Sequence, residues 1–122
     1  MTVLIIEDDE GLAELIKRIV QKCGFKAINV YSGAEALQWL SGNFPKMVLL
    51  DYRLPDMNAN EFISDLKDRG LPVPAFIVST GYCDERVATE MMNLGASDYL
   101  VKDSGFLERL PNVIRGVAQG AH

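Results

Sequence analysis

The chain has 122 residues, a length typical of a single domain, and we expect one domain over residues 1–122. Hydrophobic residues make up 48% and charged residues 24%, which indicates a packed globular protein and not a disordered one. The formal net charge of −5 argues against direct binding to nucleic acid, because phosphates require a basic surface. Cys23 and Cys83 lack metal-type spacing, so we expect them to be reduced thiols in a cytoplasmic protein.

Five short apolar runs predict β-strands at residues 3–6, 27–30, 47–50, 75–78 and 99–101. The first run is too short, and too closely followed by acidic residues, to be a signal peptide or a membrane span. Short strands that are apolar on both faces are typical of a parallel sheet covered on both sides. We therefore predict an α/β fold in which a five-stranded, parallel, doubly wound sheet and five helices form a three-layer sandwich.

A stretch of helical periodicity follows each predicted strand. Gly24, Gly70 and Gly95 are expected to end three of these helices, since glycine is favoured just beyond a helix C-terminus. Pro111 interrupts the last stretch, residues 106–117, so that helix either begins near Pro111 after a separate turn or kinks there. Residues 120–122 are expected to form a loose tail.

Candidate site residues follow four of the five predicted strands. Glu7-Asp8-Asp9 follow the first strand, Asp51 the third, Ser79-Thr80 the fourth and Lys102 the fifth. In a doubly wound sheet, ligands bind beyond the carboxyl ends of the strands. We therefore expect several carboxylates, a hydroxyl and a lysine to converge on one pocket.

This combination of groups is suited to phosphoryl transfer. Neighbouring carboxylates repel one another unless a cation compensates their charge, and Mg²⁺ suits a few carboxylates together with a substrate phosphate. Lys102 and Thr80 could hold phosphate oxygens, and Asp51 is the best-placed nucleophile. Taken alone, Asp9 could simply cap the first helix and Lys102 could be an ordinary solvated lysine. The convergence at four strand ends favours a site.

The chain resembles the CheY-like receiver domains of two-component response regulators over nearly its whole length. The resemblance lies in the acidic segment at residues 3–9, in residues 48–55 around Asp51, in residues 79–82 and in residues 95–102. It implies the flavodoxin/CheY-like strand order 2-1-3-4-5. It also implies a regulatory domain that is not an enzyme in the usual sense, but assists its own phosphorylation and dephosphorylation.

The resemblance also implies a role for each matching position. The phosphoacceptor is Asp51, the Mg²⁺ ligands are Glu7, Asp8, Asp51 and the backbone carbonyl of Arg53, the phosphoryl-binding residues are Thr80 and Lys102, and the switch residues are Thr80 and Tyr99. Two alternatives stay open at the level of sequence. The acidic pair could be Asp8 and Asp9, and the hydroxyl could be that of Ser79, although the spacing favours the first set.

The chain departs from the family pattern near the site. Asp103 follows Lys102 where the family usually has a proline, and Ala59 replaces a common loop glycine. Arg53 and Tyr82 occupy variable positions that flank the site. We expect their bulk to hinder attacking water and so to prolong the phosphorylated state.

The resemblance implies partners as well. The phosphodonor would be a sensor histidine kinase or a phosphotransfer protein, and the output an unknown effector or an attached domain. The fourth helix, fifth strand and fifth helix would form the switching surface, which could also support a homodimer. Neither nucleic acid nor membrane is an expected partner, and the chain is either a stand-alone receiver or part of a larger protein.

Two other classes of protein fit the sequence less well. A flavodoxin-like cofactor binder would need a loop rich in glycine and hydroxyl groups after the first strand, where three acids stand instead. An aspartyl phosphohydrolase would need a general acid close to its nucleophile, but Arg53 stands two residues after Asp51.

Overall fold

Five strands and five helices alternate along residues 1–120, the part of the chain that the computed structural model describes. The last two residues of the predicted tail, Ala121 and His122, lie outside these described residues. The strands are β1 (Thr2–Ile6), β2 (Lys26–Val30), β3 (Met47–Asp51), β4 (Phe76–Thr80) and β5 (Asp98–Val101). The helices are α1 (Glu10–Lys22), α2 (Gly33–Leu40), α3 (Ala59–Asp68), α4 (Glu85–Asn93) and α5 (Phe106–Ala118). The strands form one parallel sheet in the order β2-β1-β3-β4-β5, which confirms the predicted fold.

Helices cover both faces of the sheet. Alternate side chains along a strand point to opposite faces, so the buried central strands contribute to two separate clusters. On one face, Leu4, Leu50 and Val78 pack with residues of α2, α3 and α4. On the other face, Ile5 and Ile77 pack with residues of α1 and α5. This three-layer packing holds the central strands rigidly and fixes where their carboxyl ends lie.

Polar side chains and glycines define the helix ends. Asp9 caps α1, because its side chain accepts a hydrogen bond of 3.0 Å from the Leu12 amide. Of the roles considered for Asp9, the structure therefore shows the capping one. Gly24 and Gly95 follow helix C-termini with φ of 94° and 102°, as predicted, in a region that favours glycine over residues with a Cβ.

Pro111 lies inside a continuous helix. α5 begins at Phe106 and runs through Pro111 to Ala118, which excludes the first of the two alternatives, a helix beginning near Pro111. A proline at the sixth helical position removes the amide that would bond to the Leu107 carbonyl. The apolar face of α5, which buries Leu110 and Ile114 against the sheet, maintains the helix despite this loss.

The loop after β3 is attached to the start of α2 by Asp56. Its two carboxylate oxygens accept hydrogen bonds of 2.9 Å from the backbone amides of Gly33 and Ala34. Gly33 also permits close contact with Met57, whose sulfur would clash with a Cβ at that position. The loop that carries Arg53 is therefore held tightly against the start of α2.

We expect Asp56→Ala to lower the free energy of unfolding by about 1–2 kcal/mol, because two amides at the start of α2 lose their acceptors. Burial alone would raise the pKa of the Asp56 carboxyl, but the hydrogen bonds from Gly33 and Ala34 outweigh it and lower that pKa below its ordinary value. The stabilisation is thus present above the ordinary pKa and is lost as the pH falls through the lowered value. Urea denaturation of wild type, Asp56→Ala and the milder Asp56→Asn across this range measures the effect. Equal stability of all three proteins at neutral pH would contradict it.

Candidate functional site

Three carboxylates meet at the carboxyl edge of the sheet. Glu7 and Asp8 follow β1, and Asp51 ends the adjacent strand β3. One carboxylate oxygen from each of these residues lies within 4.8 Å of the others. Glu7 and Asp51 are buried, whereas Asp8 is exposed at the rim. Two neighbouring parallel strands are therefore sufficient to assemble an acidic cluster that is open to solvent on one side.

Lys102 provides the positive charge for this cluster. Its backbone amide donates a hydrogen bond of 2.7 Å to the Thr80 carbonyl, which places it directly beyond β5. Its Nζ lies 2.6 Å from Glu7 Oε1 and 3.1 Å from Asp51 Oδ2. These contacts confirm that the lysine points into the acidic cluster and not into bulk water.

Burial and charge shift the pKa values of this ion pair. Burial raises the pKa of Glu7, the hydrogen bond from Lys102 lowers it, and the charge of Asp51 raises it further, so that the net shift is upward. Burial alone would lower the pKa of Lys102, but its hydrogen bond to Glu7 and the negative charges of Asp51 and Glu7 raise it instead. The ammonium therefore stays charged and compensates part of the carboxylate repulsion.

Asp9 lies beside the cluster without joining it. Its carboxylate caps α1, while its backbone amide donates a hydrogen bond of 3.2 Å to Glu7 Oε2. Glu7 is thus held at one oxygen by Lys102 and at the other by this amide. Of the two acidic pairs considered from the sequence, the pair that faces Asp51 is Glu7 and Asp8.

Ser79 and Thr80 stand on opposite faces of β4. Ser79 lines a small cavity between the sheet, α1 and α5, together with Glu7 and apolar residues. Thr80, at the end of β4, is buried. Burial raises the pKa of Tyr99, which neighbours Thr80. The Tyr99 hydroxyl is itself buried and forms no hydrogen bond within residues 1–120.

Arg53 and Tyr82 join the two loops that border the cluster. Arg53 stands two residues after Asp51, and Tyr82 stands two residues after Thr80. An Arg53 guanidinium nitrogen donates a hydrogen bond of 3.0 Å to the Tyr82 hydroxyl, although both side chains are exposed. The Arg53 backbone amide lies 3.4 Å from Asp51 Oδ1. The side-chain pair therefore connects the loops on either side of Asp51.

The donor set fits a hard divalent cation. All the candidate ligand atoms are carboxylate oxygens, and one of them, on Asp8, is exposed to water. Mg²⁺ prefers a few carboxylates and retains several waters, so a cluster that is open on one side suits it. The part of the chain that the structure describes has free thiols at Cys23 and Cys83, and neither belongs to this cluster.

Comparison with known proteins identifies the family. Residues 3–115 match the family described as the response regulator receiver domain. The chain belongs to this family. Receiver domains are regulatory modules of two-component signal transduction, in which a histidine kinase and an output domain are the interacting partners. The match covers most of the chain and includes every residue of the acidic cluster.

Curated relatives are considerably longer than the chain. It is 33% identical over 116 residues to the methanogenesis regulatory protein FilR1 of Methanothrix harundinacea, covering 91% of this chain and 26% of that protein. It is 33% identical over 100 residues to the transcriptional regulatory protein CrdR of Helicobacter pylori, covering 82% of this chain and 47% of that protein. The chain thus spans less than half the length of these two relatives.

A solved receiver structure supports the fold independently. The CheY-like response regulator receiver domain of Methylobacillus flagellatus superposes with a TM-score of 0.81 at 28% sequence identity. The alignment covers 96% of this chain and 98% of that one.

Among the helices of residues 1–120, none combines the length and the apolar composition that crossing a membrane requires.

Two residues near the site carried no signal in the sequence. Asp56 follows a proline, so its position predicted only a chain break, yet it fixes the loop that contains Arg53. Arg109, in the first turns of α5, bonds to both residues that flank Lys102. Spacing alone could not indicate either contact, because each depends on how separate elements pack.

Proposed function

We propose that this receiver domain accepts a phosphoryl group on Asp51 from a phosphohistidine of a sensor histidine kinase or a phosphotransfer protein. The observation that carries the proposal is the acidic cluster of Glu7, Asp8 and Asp51, with Lys102 Nζ 3.1 Å from the Asp51 carboxylate. A carboxylate nucleophile, a cation site and a lysine together meet the requirements of phosphoryl transfer, which are positioning and charge neutralisation.

The cation in this proposal is Mg²⁺. The side chains of Glu7, Asp8 and Asp51 and the backbone carbonyl of Arg53 would hold it. Asp8 is the exposed member and is suited to direct ligation, whereas Glu7 already bonds to Lys102 and would act through water. Bound Mg²⁺ would neutralise charge on the phosphoryl oxygens and on the carboxylates.

The chain's own residues carry out the transfer in this scheme. An Asp51 oxygen attacks phosphorus, the bond from phosphorus to the histidine nitrogen breaks, and the imidazole leaves with the electron pair. Lys102 turns from Glu7 to a phosphoryl oxygen, and the Thr80 hydroxyl donates to another. Ser79 is the less suitable hydroxyl, because the spacing to Gly95 and Lys102 favours Thr80.

The proposed switch consists of Thr80 and Tyr99. The Thr80 hydroxyl would leave the neighbourhood of Tyr99 and turn toward the phosphoryl group, while Tyr99 repacks into the space released. Tyr99 belongs to β5, so this movement would bias the surface formed by α4, β5 and α5 between two states. That surface would bind an effector or an attached output domain, or a second copy of the chain as a homodimer.

The overall role follows from these steps. We expect residues 1–122 to act as one signalling domain in the cytoplasm, regulating a partner and catalysing no reaction on a separate substrate. The acidic net charge of −5 supports control through protein contacts without direct binding to nucleic acid. The greater length of the relatives supports attachment to an output domain.

The experiment that tests this function is intact mass spectrometry after incubation with a small phosphodonor. We expect the mass of one phosphoryl group to be added in the presence of Mg²⁺, and little addition when a chelator removes the metal. No gain of mass with Mg²⁺ and excess phosphodonor would contradict the proposal.

Mg²⁺ is also expected to stabilise the fold, because it binds the assembled cluster and not the unfolded chain. At a concentration about 100 times the dissociation constant, the gain in free energy of unfolding is about 2.7 kcal/mol. Asp8→Asn should lose most of this gain, while Asp9→Asn should keep it, since asparagine also caps helices. Thermal unfolding with and without Mg²⁺ measures the effect, and an equal gain in both variants would argue against Asp8 as a ligand.

The Arg53–Tyr82 hydrogen bond predicts a long-lived phosphorylated state. The two side chains connect the loops on either side of Asp51, so we expect them to restrict the approach of water. The double variant Arg53→Asn, Tyr82→Ala should lose its phosphoryl group several-fold faster once the phosphodonor is removed. Phe44→Ala, an exposed aromatic residue before β3, is a control that should match wild type. Equal or slower loss in the double variant would refute this role.

A further inference from the structure

Arg109 of α5 binds the chain on both sides of Lys102. Its Nη2 donates a hydrogen bond of 2.8 Å to the Val101 carbonyl, and its Nη1 lies 2.9 Å from Asp103 Oδ1. The same Asp103 oxygen accepts a hydrogen bond of 3.0 Å from the Gly105 amide. One guanidinium therefore connects the end of β5 with the loop that leads into α5.

The Arg109 side chain passes close to the backbone of that loop. A Cβ placed on Gly105 would lie 2.8 Å from Arg109 Nη1, so the guanidinium crosses directly over the glycine. The hydrogen bond from Arg109 lowers the pKa of the Asp103 carboxyl, which stays ionised at neutral pH. These contacts describe a closed loop, held by a charged pair and by two backbone groups.

The loop matters because of the residue that it carries. Lys102 has a flexible four-carbon side chain. Within residues 1–120, its backbone forms one hydrogen bond, from its amide to the Thr80 carbonyl. Its Nζ must nevertheless reach a defined point between Glu7 and Asp51. A flexible side chain reaches such a point reliably only when its backbone is held on both sides.

We infer that Arg109 is a positioning residue, which holds the Val101–Asp103 segment so that Lys102 Nζ points at the phosphoacceptor. This inference rests on the proposed function, because it assigns Arg109 a role in phosphoryl transfer at Asp51. Arg109 touches none of the reacting atoms and acts through Lys102 alone.

An ordinary exposed ion pair would not have this effect. Exposed pairs contribute only about 0–1 kcal/mol to stability. Glu14 and Arg18, 3.6 Å apart on the exposed surface of α1, form such a pair. Arg109 differs because one of its two bonds is to a strand carbonyl beside a site residue. Arg18→Ala is therefore the matched control for Arg109→Ala.

The test is a double-mutant cycle on the rate of phosphoryl incorporation. It uses a small phosphodonor in excess with Mg²⁺, so that slow variants can be followed by intact mass. We expect Arg109→Ala to slow incorporation about tenfold in the wild-type background, and to have no further effect when Lys102→Ala is already present. Arg18→Ala should match wild type. Incorporation by Arg109→Ala at the wild-type rate, or an equal slowing in both backgrounds, would overturn the inference.

A second measurement separates this inference from the proposed function. In ¹⁵N-labelled protein without phosphodonor, the Lys102 ammonium should give a protected signal that disappears in Lys102→Ala. Arg109→Ala should broaden or shift that signal toward those of exposed lysines, and Arg18→Ala should leave it in place. An unchanged signal in Arg109→Ala overturns the positioning role, whereas failure of wild type to take up phosphate overturns the proposed function.

Discussion

Asp51→Asn is expected to abolish phosphoryl incorporation from both a phosphohistidine donor and a small phosphodonor. The amide oxygen carries no charge and is a poor nucleophile, and no acyl phosphate can form on it. The substitution is nearly isosteric, so the fold should be retained. Loss of incorporation would therefore report on the chemistry of Asp51.

The control for this variant is Asp9→Asn, which changes an acid close in sequence to the same cluster. Because Asp9 caps α1 and does not face Asp51, we expect incorporation at the wild-type level. Radiolabelled transfer and intact mass measure both variants side by side. Incorporation by Asp51→Asn at the wild-type rate would mean that another residue accepts the phosphoryl group.

Lys102→Ala is expected to slow incorporation by a factor of about 10² to 10³, the usual effect of removing one group that stabilises transition-state charge. The ammonium lies 3.1 Å from the Asp51 carboxylate, and its raised pKa keeps it charged near neutral pH. The variant also leaves the buried Glu7 carboxylate without its counter-ion. Tighter Mg²⁺ binding should accompany the slower reaction, because the metal no longer competes with the lysine.

Lys67→Ala is the control for the loss of a lysine, since Lys67 is exposed in the last turn of α3 and is not part of the cluster. It should match wild type in both rate and Mg²⁺ affinity. Single-turnover rates over a range of Mg²⁺ concentrations separate the two effects of Lys102→Ala. A rate for Lys102→Ala within a factor of two of wild type at saturating Mg²⁺ would exclude a charge-stabilising role for Lys102.

The fold was predictable because the hydrophobic pattern of the strands and the positions of the glycines indicate the same arrangement of strands and helices. The central strands are apolar on both faces, which only a covered parallel sheet can bury, and glycines mark the ends of several helices. The helix through Pro111 was harder to predict, because proline disfavours a helix locally whereas the packing of α5 favours one. The buried face of α5 outweighs one missing hydrogen bond, and no local pattern shows that balance.

The clustering of the site was predictable for a topological reason. Residues that follow parallel strands must meet at one edge, so the approach of Lys102 to Glu7 and Asp51 follows from strand order. The position of Asp9 was ambiguous, since an acid before a helix can serve either as a cap or as a ligand. Only the direction of its side chain separates the two.

The supporting contacts could not be predicted from sequence. Asp56 reaches the start of α2 across 22 and 23 residues of chain, and Arg109 reaches back over Gly105 to Val101. Such contacts depend on the relative placement of loops and helices, which periodicity does not determine. The Arg53–Tyr82 bond is similar, because the bulk of both residues was evident but their pairing was not.

The most direct test of the account is to locate the phosphoryl group chemically. An acyl phosphate is reduced by borohydride to the corresponding alcohol, so a phosphorylated aspartate becomes homoserine. After incubation with phosphodonor and Mg²⁺, borohydride treatment and peptide mass analysis should find homoserine at position 51 and unmodified aspartate at positions 8, 9 and 56. Homoserine at another aspartate, the corresponding alcohol at a glutamate, or neither in a protein that has gained the mass of a phosphoryl group, would contradict Asp51 as the acceptor.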